Sequence, residues 1–68
     1  MDELAAAAAA YRKAKAAIDT ARPRLAAAII DAARNGRKQG EIVAATGYTR
    51  ERIRQICRAA GVEPTADL

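Results

Sequence analysis

A single glycine, Gly47, divides the stretch QGEIVAATGYTRERIRQICRAAG (Gln39–Gly61) and decides how its two halves meet. Glycine tolerates the left-handed backbone conformation that ends a helix, so Gly47 predicts a stop and a reversal of chain direction. Before it, Ile42 and Val43 supply the apolar face of a short helix. After it, Thr49 has the side chain of an N-cap, and Glu51 puts negative charge in a first turn, where it complements the helix dipole. A second helix is therefore predicted over 49–60. Gly61 followed by Val62 reads as its C-cap with an apolar partner, and Pro64 closes off any extension.

At 100° per residue, Ile53, Ile56 and Ala60 share one face of that helix, with Thr49 at its start. Glu51, Arg54, Gln55 and Arg58 lie opposite, Arg50 projects from the N-terminal end, and Arg52 and Cys57 fall on the flanks. A short helix, a glycine turn and a second helix with its charges turned away from its apolar residues form the layout of a DNA-binding helix-turn-helix. In that unit the second helix enters the major groove. An arginine-rich helix taken alone is more often an ordinary solvated face. The caps, the turn glycine and the apolar spacing favour DNA here.

The segment TRERIRQI (Thr49–Ile56) resembles the recognition helix of the last domain of bacterial primary sigma factors, which reads the upstream promoter hexamer. The resemblance covers these eight residues, with a looser fit of the preceding helix. It implies that Arg50, Glu51 and Gln55 face bases and that Arg54 faces phosphate. Side-chain chemistry agrees, since Arg bonds guanine bidentately, Glu accepts from the cytosine amino group and Gln pairs with adenine. The sequence departs from the pattern at Val43, where a small residue is common, at Thr46, where an aliphatic one is common, and at Cys57, where the family usually carries a charge. A promoter-melting domain is not expected within these 68 residues. Its broader layout resembles small actinobacterial helix-turn-helix regulators with an Ala-rich leading helix.

Charge follows the same division. Residues 36–61 hold Arg37, Lys38, Arg50, Arg52, Arg54 and Arg58 against Glu41 and Glu51, a net +4. Residues 1–35 net +2, and the tail 62–68, expected to be short and flexible, nets −2 through Glu63 and Asp67. The positive excess thus gathers on the proposed reading head, as phosphate neutralisation requires. Arg37, Lys38, Tyr48, Thr49, Arg54 and Arg58 are the expected phosphate contacts. For Arg37 and Lys38 a solvated loop is nearly as good a reading.

The first part of the chain, 1–34, reads as one long Ala-rich helix or two in succession, with Asp2 and Glu3 suited to its start. Ala5–Ala10 is low in complexity yet a strong helix former. Leu4, Tyr11, Ile18 and Leu25 recur every seven residues, with Ala7, Ala14, Ala21 and Ala28 three residues after each. Large residues at one seam position and Ala at the other describe a heptad pairing with close backbone approach. A helix of ~50 Å is too long to be covered by a head of 37–61, so Leu4, Ala7, Tyr11, Ala14, Ile18, Ala21 and Leu25 are assigned to a seam with a second identical chain. Antiparallel pairing is slightly favoured, because short Ala-seam pairs suit close antiparallel contact, and a parallel pair is the alternative. Pro23 removes a backbone donor and crowds the carbonyl of Asp19. A kinked but continuous helix is favoured, and a break recapped by Asp19 or Thr20 is the alternative. Leu25–Arg34 becomes the first helix of the head, with Leu25, Ile29 and Ala32 closing over Ile42, Ile53 and Ile56, and Asn35-Gly36 ends it.

An all-α fold is therefore expected, a long N-terminal helix kinked near Pro23 leading into a helix-turn-helix. The function expected is sequence-specific double-stranded DNA binding by a homodimeric transcriptional regulator in the bacterial cytoplasm. The alternatives are a helical module docking an acidic protein surface such as RNA polymerase, and a sequence-neutral nucleoid protein. With no His and one Cys, neither a structural zinc site nor an internal disulfide is expected. Cys57 is read as a core-edge thiol of a reduced, intracellular protein. No catalytic residue, cofactor, metal, membrane contact or small-molecule ligand is expected: no nucleophile–base pair or phosphate-cradling loop is present.

Overall fold

The computed structural model describes residues 2–67; Met1 and Leu68, which fall in the segments 1–34 and 62–68, lie outside the described residues. The described residues are all-helical apart from connections. Helix α1 spans Glu3–Arg34, α2 Gln39–Thr46 and α3 Arg50–Ala59. Asp2 caps α1, its carboxylate accepting from the Ala5 amide at 2.7 Å. Pro23 lies inside α1, which continues through it without interruption. The alternative of a break fails because neither proposed cap is used as one. Thr20 donates its hydroxyl back to the Ala16 carbonyl at 3.1 Å, and Asp19 pairs with Lys15 at 3.3 Å.

Two helices end in the same way for the same reason. At the end of α1, Gly36 takes φ 82°, its amide bonds the Ala33 carbonyl and the Arg37 amide reaches back to Ala32. At the end of α3, Gly61 takes φ 74°, its amide bonds Arg58 and the Val62 amide bonds Cys57. This paired backward bonding satisfies carbonyls a helix end otherwise leaves open, and its left-handed residue favours glycine. Val62 completes the second motif by packing against the core.

The core is small and lies at one end of the molecule. Ile29 and Ala33 of α1, Ile42 of α2, and Ile53 and Cys57 of α3 are buried. Leu25, Ala32, Val43, Tyr48, Ile56 and Val62 pack around them. The wheel drawn from sequence needs one correction. Ile53 and Cys57, four residues apart, point inward, whereas Ile56 is half-buried and Ala60 is exposed. Cys57 is therefore a central core residue and not a flank. Burial pushes its thiol pKa up, with Glu63 adding to the effect, so the group stays protonated and acts as a small apolar side chain.

Outside the core, α1 is an arm. Nearly every residue from Asp2 to Arg24 is exposed, Leu4 at 79%, Tyr11 at 68% and Ile18 at 51%. The molecule measures 55 × 19 × 16 Å with a radius of gyration of 16.0 Å. A compact chain of this length would have a radius of about 11 Å. No helix among the described residues is long and apolar enough to cross a membrane.

Candidate nucleic-acid interface

The turn between α2 and α3 is built by two threonine side chains and the backbone of one glycine. Thr46 donates its hydroxyl to the Ile42 carbonyl at 2.7 Å, and the same oxygen accepts from the Tyr48 amide at 3.1 Å. An aliphatic residue at position 46 would supply neither bond. Gly47 follows with φ 74°, and its amide bonds the Val43 carbonyl at 2.8 Å. Thr49 then caps α3 by accepting from the Arg52 amide at 3.1 Å. A hydroxyl accepting one bond still has a proton to donate, so capping leaves Thr49 able to meet an anion.

Beyond this turn α3 presents one open face. Arg50, Glu51, Arg54, Gln55 and Arg58 are all exposed, none covered by α1 or α2. Arg54, with 47% of its side chain exposed, leans towards Glu51 one turn back at 3.5 Å. Arg50 donates to the Gln39 side chain at 3.3 Å, while Gln39 donates to the Arg50 carbonyl at 3.4 Å, so the start of α2 buttresses the start of α3. Lys38 and Arg37 lie exposed at the entry to α2, Arg37 pairing with Glu41 at 3.5 Å. Tyr48 is half-buried, and the Arg52 guanidinium stands 5.8 Å from its ring centre, within cation–π range. The residues assigned from sequence to bases and phosphates thus fall in three places: the α3 face, the connection holding Tyr48 and Thr49, and the entry to α2, with Tyr48 set deepest.

Sequence reasoning missed the acids that meet this face. The tail 62–67, read as flexible, returns from the end of α3 to the start of α2. Arg58 pairs with Glu63 at 3.3 Å, and the Gln39 amide bonds the Thr65 carbonyl at 2.9 Å. Asp67 accepts from the Gly40 amide at 2.6 Å and from the Arg50 guanidinium. These bonds, the Gly40 amide first and Arg50 next, hold the Asp67 carboxyl below the usual carboxylate range. The reason for the docking is local. Lys38 stands at the N-cap of α2 and makes no capping bond, so α2 begins with open amides that the tail satisfies. The net −2 of the tail was the one sequence signal of this pairing.

No group of His, Cys, Asp and Glu side chains among the described residues is arranged to hold a metal ion. Comparison with known proteins finds no matching family model, and no curated protein or solved structure that matches the chain.

Proposed function

We propose that this protein binds double-stranded DNA sequence-specifically as a homodimeric transcriptional regulator, laying α3 in the major groove as the second helix of a helix-turn-helix. The observation that carries the reading is the open face of α3. Arg54 and Gln55 lie away from the Ile53–Cys57 core, with Arg50 and Glu51 at the end nearest the turn. Arg50, Glu51 and Gln55 read base edges. Arg54, Arg58, Arg37, Lys38, Thr49 and Tyr48 hold phosphates, which position the helix without specifying sequence.

The exposed α1 arm supports the pairing half of the proposal. Leu4, Tyr11 and Ile18 lie on one seam with Ala7, Ala14 and Ala21, and all six are exposed among the described residues. A second copy buries that seam, which continues through Leu25 to the head. In vitro selection from a random duplex pool tests the whole reading. Recovery of one motif, repeated as two half-sites, is the expected result. A pool that stays random points instead to a protein-docking module, or, with a steep salt dependence of binding, to a sequence-neutral nucleoid protein.

A further inference from the structure

The tail lies against the surface that the proposed function gives to DNA. Its two acids, Glu63 and Asp67, meet Arg58 at the end of α3 and Arg50 at the start. Between them, the Thr65 carbonyl bonds the Gln39 amide, fixing the strap to the head of α2. Asp67 also takes the Gly40 amide, so one carboxylate fills an open helix N-terminus and neutralises the first arginine of the reading helix. A duplex approaching there needs the same donors, because Arg50 must leave Asp67 to reach a base edge and open backbone amides at a helix start are phosphate partners.

We propose that the acidic segment Glu63–Asp67 is an intramolecular competitor for DNA, a strap that pairs with Arg50 and Arg58 in the free protein and is displaced when the duplex binds. The inference rests on the DNA-binding reading of α3. Each ion pair is at the surface, so it is weak enough to yield to a polyanion. Gly40 is suited to this docking. A Cβ at that position would stand 2.9 Å from the Asp67 carboxylate oxygen, and Gly40 itself has ordinary helical backbone. Gly40→Ala therefore pushes the carboxylate away with no change of charge and with a better helix former in place.

The test measures binding of a 30-base-pair duplex of random sequence at low salt by fluorescence anisotropy. It compares the unaltered protein with Asp67→Asn, with Glu63→Gln/Asp67→Asn and with Asp19→Asn, the last a charge-matched change on the distant arm. Circular dichroism establishes that each variant keeps its helices. Asp67→Asn should bind about three- to tenfold more tightly, the double variant more tightly still, and Asp19→Asn within about twofold of the parent. In the free protein, the Gly40 amide resonance should move in Gly40-retaining Asp67→Asn towards the position it takes in the parent's DNA complex. Parent and Asp67→Asn binding equally, or Asp67→Asn binding more weakly, overturns the strap while leaving DNA binding intact. Failure of every variant to bind overturns the strap and the DNA reading together.

Discussion

Ile53 is the residue on which the head depends, being fully buried between α3 and the two helices it packs against. Ile53→Ala should cost about 2–5 kcal/mol, and a core of this size supplies roughly 3–5 kcal/mol in all. Thermal denaturation followed by circular dichroism should therefore show a head that is largely unfolded at room temperature. Cys57 beside it offers a direct probe of that core. Its buried, protonated thiol should resist alkylation in the native protein and react as soon as urea opens the head. Asp67 carries a pH dependence of definite sign. Its carboxyl pKa is lowered in the folded protein, with Gly40, Arg50 and Lys38 the groups that face it. The stabilisation is present above the unfolded value of about 3.9 and is lost as pH falls through the lower folded value. Melting temperatures measured between pH 2 and 6 should show this loss in the parent and not in Asp67→Asn.

At the level of elements, the turn and the caps carry most of what local sequence encodes. Gly47, Thr49, Gly36 and Gly61 were legible because a left-handed residue or a capping hydroxyl is a property of one position and its near neighbours. Gly47→Ala tests the backbone term alone, since no atom lies within 4 Å of the added Cβ. It should cost about 1–2 kcal/mol, read as a shift of the urea midpoint with an unchanged slope. The inward face of α3 was half legible. Hydropathy selected Ile53 and Ile56, yet the side on which α1 lies turns the buried axis towards Cys57 and leaves Ala60 out. That placement belongs to the neighbour and not to the helix's own pattern. The tail was illegible for a related reason, because Thr65 and Asp67 meet Gln39, Gly40 and Arg50 across a sequence separation of up to 27 residues, which no short-range rule encodes. Pro23 shows propensity overruled by its surroundings, with good helix formers on both sides carrying α1 past it.

For the molecule as a whole, the exposed arm and the small head raise one question of assembly and one of recognition. The proposed pairing puts large seam residues and Ala on one face, and Ala14 is exposed in the single chain, far from the buried core. Ala14→Glu should leave the head folded and convert the dimer to a monomer in sedimentation equilibrium. Loss of the dimer should also lower affinity for a two-half-site duplex while sparing affinity for a single half-site. The central claim, that the open face of α3 reads bases, is tested most directly by titrating the selected duplex and a scrambled one with the parent protein, Gln55→Ala and Arg58→Ala. Gln55→Ala should lose about 1–3 kcal/mol on the selected duplex with little change on the scrambled one, and Arg58→Ala should weaken both alike. Equal losses on the two duplexes from Gln55→Ala would contradict base reading by this helix.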